Sequence, residues 1–546
     1  MGIPPEPFSF PVDIEELIRF TLDDPFVQSI ATSSANTFFQ PAPASSSTST
    51  SASSRRLRVR QDHEWSCWDL LPADWRAYFE GLTGHDERDA LLRRLSEGHC
   101  PDDAPPALAA YLDSCRSLSL PRTCSDLPVV TYPPSLARSP RPRRAPAPTK
   151  RTTRTDEERL AKINLKNAQQ AGKSPKKDHE CDQFSLLVAD MLEDAPLSHC
   201  VDVGSGRAHL SRALACPPLD LHVLAIDWSD SQKSGAERLD TIRVNAQLAP
   251  GKGSLTHEVS ALDADGVEAV LARWPPPPTS PSSPAGAPTQ PALLVALHAC
   301  GDLTPAALTA FVRAHAADPA RHAGARAVFV GCCYNMQTPA LFPLSAHVRD
   351  LAHAGGRPPS RMARAHLRLT PQSPPTWHLS AAASTAWRTS TRKLAFRARF
   401  EAELECAGIG TNAERRVGRV AECATWEEYR ARALRKAEGG LTDEECPEVP
   451  FGEGGEDGEA EWATAVFYLR VFWTLRSWLG PPLETLCVLD RFAYLVEGLR
   501  DGAGGGEREG VTGAGAGAWT SERRVEVVNL FDQATGSLRN LALVVR

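Results

Sequence analysis

The 14 cysteines in this 546-residue chain include no Cys-x-x-Cys pair. That absence removes the commonest zinc and dithiol motifs. Cys200, Cys300, Cys332, Cys333 and Cys487 stand in or beside apolar runs, the setting of buried, reduced thiols. Cys332 and Cys333 are adjacent but have no second pair nearby, so no metal is expected, and their apolar surroundings do not favour a covalent nucleophile. The opening Met-Gly-Ile-Pro-Pro-Glu-Pro has neither a basic region nor an apolar core of the secretory kind, so a cytoplasmic or nuclear protein is expected. No apolar run suits a bilayer: the stretch Ala463 to Leu479 is broken by Arg470 and Arg476 and reads as a buried helix. Nor is there a general excess of cations, since the formal charge is −7. Only from Arg138 to Lys177 do basic residues dominate, 13 against the acids Asp156, Glu157 and Glu158. Such a stretch can hold phosphates by releasing counterions, although most charge runs are simply solvated.

The length predicts more than one domain. Residues 1–132 read as a helical N-terminal domain in which Trp65, Trp68, Trp75, Tyr78, Phe79 and Leu82 recur at helical spacing as a packing face. A Ser-rich tract at about 41–54 interrupts it, too poor in apolar residues to order itself. Residues 133–155 are a basic, Pro-rich linker. From 156 a charged helical pattern leads into alternating strands and helices, with strands expected at 199–203, 222–226, 255–259, 293–298 and 327–332. Alternation at this spacing means a mostly parallel sheet covered on both faces, with ligands at the carboxyl ends of its strands. A helical insert spans about 383–500, loops of little order fall at 275–291, 452–459 and 502–517, and the ends of 525–545 form an antiparallel hairpin.

The strand at 199–203 runs into Asp202-Val-Gly-Ser-Gly-Arg-Ala-His209, a glycine turn, and the next strand ends on Asp227-Trp228. Asp227 is placed to accept hydrogen bonds from a ribose diol, which leaves dinucleotides and S-adenosylmethionine as candidate ligands. Where a dinucleotide site has its third glycine this chain has His209, and the acid before the glycines, Asp202, suits a sulfonium with an amino-acid tail. S-adenosylmethionine is therefore expected, held by Asp202, Gly204, Ser205, Gly206, Asp227 and Trp228, with Asp263 or Asp265 accepting from the adenine amino group. After the fourth strand, Leu297-His-Ala-Cys-Gly-Asp-Leu303 offers His298 as a base or cofactor contact, and Asp302 as an orienting group or helix cap. Tyr334 and Asn335 are candidate contacts to a planar or polar substrate group. Lys176, Lys177 and His179, at the start of a helix, are candidate substrate contacts beside the cofactor mouth.

Ser174-Pro-Lys-Lys-Asp-His-Glu180, the 202–212 turn, Leu297–Leu303, Val330-Gly-Cys-Cys-Tyr334, Phe342-Pro-Leu-Ser345, Pro482–Arg491 and Leu538–Val545 occur in this order. In these segments the chain resembles the methyltransferase-like protein 25 family, in the branch of ribosomal RNA adenine dimethylase domain-containing protein 1. It departs from the family's usual residues at Lys173 (methionine), Ala208 (glycine) and Leu538 (proline). The resemblance implies a class I, Rossmann-like methyltransferase sheet that binds S-adenosylmethionine. The Ser-Pro-Lys-Lys and Cys-Cys-Tyr elements are also similar to parts of tRNA 2′-O-methyltransferases, which favours an RNA acceptor. Leu297-His-Ala-Cys300 is not the Asn-Pro-Pro-Tyr type used on adenine N6, which disfavours adenine dimethylation despite the branch name. The expectation is an S-adenosylmethionine-dependent methyltransferase with His298, Asp302, Tyr334 and Lys177 around the transfer site. A protein acceptor and a catalytically silent scaffold are the alternatives.

Overall fold

The computed structural model describes residues 8–39, 67–124, 128–136, 174–194, 196–243, 253–275, 292–353, 361–409, 417–437, 440–449, 455–501, 523–535 and 537–546. The tract at 41–54, the segment 138–173, and the loops at 276–291 and 502–517 lie outside them. Of the loop expected at 452–459, residues 455–459 instead open the helix Gly455–Ser477. Two compact units are present, Met1–Ile18 with Ser119–Pro371 and Leu483–Arg546, and Arg19–Leu118 with Gln372–Pro482. The N-terminal helices thus share a unit with the 372–482 segment, where the sequence reading gave them a domain of their own.

The first unit is built on an eight-stranded sheet: β1 (Val130–Tyr132), β2 (His199–Val203), β3 (His222–Asp227), β4 (Ser254–Val259), β5 (Ala292–Ala299), β6 (Arg326–Gly331), β7 (Val525–Asn529) and β8 (Leu541–Val545). Their order is β1-β7-β8-β6-β5-β2-β3-β4. β2 to β6 pair in parallel, whereas β8 runs antiparallel to β6 and β7, as the expected terminal hairpin does. The short strand β1, antiparallel to β7, was not expected. Strands β2, β3, β5 and β6 are nearly continuous apolar runs because they are covered on both faces, while β4, at the edge, is only partly buried.

Helix Pro175–Asp194 starts at Ser174, whose Oγ accepts from Lys177 N–H at 3.3 Å, with proline at its first position. Its inner face sets Phe184, Val188 and Met191 against Cys200, Val223, Leu293, Val328 and Val544. Each of the fully buried Val, Leu, Phe and Met side chains among these stabilises the fold by about 1.5–3 kcal/mol. The chain steps from β2 outward through β3 to β4, then returns to the other side of β2 as β5. This reversal leaves a crevice beyond the carboxyl ends of β2 and β5.

The second unit is helical. Trp68, Trp75 and Phe79 are buried in it; Trp68 stacks on Tyr468 with centroids 4.6 Å apart and donates to Glu80 at 2.9 Å. Among the described residues no helix is long and apolar enough to cross a membrane.

Candidate functional site at the carboxyl edge of the sheet

The turn after β2 alternates left-handed residues, Gly204 (φ 73°), Gly206 (φ 54°) and Ala208 (φ 55°). At Gly204 a Cβ would lie 2.7 Å from Leu303 Cδ2, so the leucine would have to shift, and the positive φ itself disfavours a side chain. Over Gly206 the space is open, with nothing within 4 Å of a Cβ. The turn's amides are engaged internally: Gly204 and Ser205 N–H both donate to Ile226 O (2.9 and 3.0 Å), and Gly206 N–H donates to Asp227 Oδ2 (2.9 Å). The turn therefore offers a ligand space and shape more than donors. A pyrophosphate needs those donors, so a ligand without phosphates fits better.

Asp202 is 2% exposed and accepts from Ser211 Oγ at 2.5 Å. Burial pushes its carboxyl up to about 6, against the pull of Ser211 and the positive charge of Lys177. Asp227 is buried and accepts from Gly206 and Ser229 N–H, which leaves lone pairs on both oxygens. Next to it Trp228 is 74% exposed, and Val259, in register with Asp227 across the β3–β4 pair, is exposed too. Four large apolar side chains are exposed among the described residues, and three of them, Trp228, Val259 and Met336, stand at or just beyond the carboxyl ends of β3, β4 and β6. Trp228 and Val259 are thus neighbouring exposed apolar side chains at the strand ends where ligands bind in such sheets.

On the other side of the crevice His298 has φ 61° at the β-bulge that ends β5. A non-glycine residue held there costs ~1–2 kcal/mol. Its Nε2 lies 2.7 Å from Glu180 Oε2, and Glu180 Oε1 accepts from Ser537 Oγ, also at 2.7 Å. Burial opposes the charge on Glu180, but His298, Ser537 and Lys176 together hold its carboxyl below the ordinary range.

Residues 176–338 match the family model described as "Methyltransferase domain". This segment is a methyltransferase domain. The chain is also similar to the human protein described as "Probable methyltransferase-like protein 25", 26% identical over 221 residues, which are 38% of this chain and about a third (32%) of the human protein. The solved structure of coclaurine N-methyltransferase bound to N-methylheliamine and SAH overlaps 76% of this chain and 91% of its own, at 12% identity and a TM-score of 0.18, too loosely to inform the site.

The methyl donor of the methyltransferase domain is S-adenosylmethionine. The crevice suits it: open space over Gly206, an available carboxylate at Asp227, an exposed indole at Trp228 for a flat base, and a buried acid at Asp202. Several residues singled out in the sequence have other partners. Asp302 neither caps the following helix nor faces the crevice unpaired, because its two oxygens accept from Thr338 N–H (2.6 Å) and Thr338 Oγ1 (2.7 Å), tying the β5 and β6 loops together. Tyr334 is 3% exposed beneath the Arg491 guanidinium, 4.7 Å from its ring, so it is a packing residue and its hydroxyl is held well above its ordinary range by burial. Asp263 caps helix Ala264–Arg273 by accepting from Gly266 N–H at 2.8 Å. His179 Nε2 accepts from Asp532 N–H at 3.1 Å, which fastens the helix to the terminal hairpin. Lys176 and Asn335 are exposed in the methyltransferase domain and Lys177 is half-buried, with Lys176 Nζ 3.7 Å from Glu180.

Two features escaped sequence reasoning. Glu180 was only one charge in a helix start; its link to His298 and Ser537 joins residues hundreds of positions apart. Cys332 and Cys333 were read as lacking a partner, yet Cys300 lies against both, with Sγ–Sγ distances of 3.1 and 3.3 Å.

Proposed function

We propose that this chain is an S-adenosylmethionine-dependent methyltransferase that acts on RNA. The observation that carries the enzyme reading is exposed Trp228 and Val259 beside Asp227, next to the open glycine turn, a base-and-ribose site at the sheet's switch point. In this reading Trp228 stacks on adenine, Asp227 accepts from the ribose hydroxyls, and Asp202 lies toward the cationic amino-acid tail. S-adenosylmethionine supplies a methyl group on a sulfonium that needs only an aligned nucleophile. His298, oriented by Glu180, holds the acceptor or takes its proton. The RNA reading rests on exposed Lys176 and half-buried Lys177 at the start of the helix that carries Glu180, and on the run of basic residues that precedes them in sequence.

Calorimetry with S-adenosylmethionine on wild type and Asp227→Ala tests the site, and radiolabelled methyl transfer in cell extract treated with RNase or protease tests the acceptor. Label lost on RNase treatment supports RNA, whereas label lost only with protease assigns a protein acceptor. Absence of cofactor binding by the wild type would leave a silent scaffold.

A further inference from the structure

Three thiols meet where β5 and β6 end. Cys300 Sγ lies 3.1 Å from Cys332 Sγ and 3.3 Å from Cys333 Sγ, and these last two are 3.5 Å apart. The separations exceed a disulfide bond of about 2.05 Å. They fall just below the spacing of about 3.8 Å that sulfurs adopt on one tetrahedral zinc with Zn–S bonds of about 2.3 Å. Small side-chain rotations close that gap. Three sulfurs mutually this near serve a single ion, whereas an iron–sulfur cluster places at most two cysteines on any one iron. No other group of three ligating side chains among the described residues comes together in this way.

The backbone holds the trio in place. Left-handed His298 and Gly301 turn Cys300 back toward β6, Gly301 N–H donates to Cys333 O at 3.2 Å, and a Cβ on Gly301 would lie 2.9 Å from Met336. Tyr334 N–H donates to Cys332 O at 2.8 Å, and Arg539 Nε donates to the same carbonyl at 3.2 Å. That guanidinium is a positive charge beside a cluster that carries a net −1 once three thiolates hold a divalent ion. Cys332 is buried while Cys300 and Cys333 are half-buried, so the trio is open to solvent ions.

We propose that Cys300, Cys332 and Cys333 bind one Zn²⁺ ion through their thiolates, with the fourth position taken by water or an exchangeable ligand. Soft thiolate donors select zinc over magnesium or calcium, and a three-ligand set leaves zinc one open site. Binding releases the thiol protons to solvent. The site stands independently of the methyl-transfer reading, because its readout is the metal itself.

The test uses the full chain, purified with reductant and stripped of metal, then titrated with Zn²⁺ against a chromophoric chelator and with Co²⁺ as a spectroscopic stand-in. The expected result is one equivalent bound, with cobalt giving thiolate charge-transfer bands and the strong visible bands of a tetrahedral ion. Cys300→Ser and Cys333→Ser each weaken binding by ~100-fold or more, while Cys124→Ser, at an exposed position elsewhere, leaves it unchanged. Circular dichroism and melting confirm that the variants fold; Cys332→Ser is avoided because that side chain is buried. Absence of a bound equivalent, binding that survives the Cys300→Ser/Cys333→Ser double variant, or a Cys300–Cys332 disulfide in peptide maps of the reduced protein would each overturn the proposal.

Discussion

Asp202→Asn separates the cost of a buried charge from the value of its hydrogen bond. The carboxyl is 2% exposed and is pushed from the ordinary 3.8 up to about 6 by burial. A carboxylate whose folded value is raised contributes stability that is present below 3.8 and lost as pH rises through about 6. The whole interval is worth ~3 kcal/mol, of which ~2 kcal/mol falls between pH 4.5 and 7.5. Asparagine keeps an oxygen for Ser211 but buries an amide N–H₂, a loss of ~1–3 kcal/mol that does not vary with pH. At pH 4.5 the variant is therefore the less stable protein, and by pH 7.5 its deficit shrinks by ~2 kcal/mol or reverses. Hydrogen exchange read by mass spectrometry on the β2 peptide measures this without requiring the whole chain to unfold in one step. The ratio of variant to wild-type protection, taken at matched pH, should rise ~30-fold across that range. A ratio that stays flat would refute the assignment of a raised carboxyl to Asp202.

Trp228→Ala removes a side chain that is 74% exposed, so melting should hardly move, while S-adenosylmethionine affinity falls by ~1–3 kcal/mol of lost stacking; equal losses in both would make Trp228 a packing residue. Glu180→Ala strands His298 and Ser537 and should destabilise the first unit by ~3 kcal/mol, against ~1 kcal/mol for Ser537→Ala, by hydrogen exchange of the Pro175–Asp194 helix; equal effects would show that Glu180 and His298 are not coupled. Ala208→Gly relieves a left-handed alanine by ~1–2 kcal/mol but removes a buried methyl and adds unfolded-state freedom worth about as much, so its stability should stay within ~0.5 kcal/mol of wild type. Gly204→Ala adds a contact with Leu303 to the same backbone strain and should cost well over ~1 kcal/mol in the same measurement; a neutral result would contradict the close approach.

The parallel strands were legible because a strand covered on both faces must be apolar throughout, and each of the five was placed within one residue at either end. The glycine turn and Asp227 were legible because left-handed backbone and a strand-end acid leave local marks. What stayed hidden is pairing at a distance. Asp302 looked like a helix cap until Thr338 took both of its oxygens, and Tyr334 looked like a substrate contact until Arg491 covered it. Cys300 looked like one more buried thiol because Cys332 and Cys333 arrive beside it only at the end of the neighbouring strand, 32 and 33 positions later. The strand β1 is only three residues long, too short to show alternation, and exists because β7 offers it an edge.

The hydrogen bond from Ser537 to Glu180 spans 357 positions. At a synthesis rate of about 5–20 residues per second, the helix that carries Glu180 waits roughly 20–70 s for its partner to be made. For the last part of that wait, roughly 10–40 s at the same rate, β6 is made but lacks β8, and the emerging chain presents an unpaired, strongly apolar edge. The nascent chain is thus an aggregation hazard until β8 arrives, and a chain stopped before residue 537 leaves Glu180, and through it His298, without the Ser537 brace.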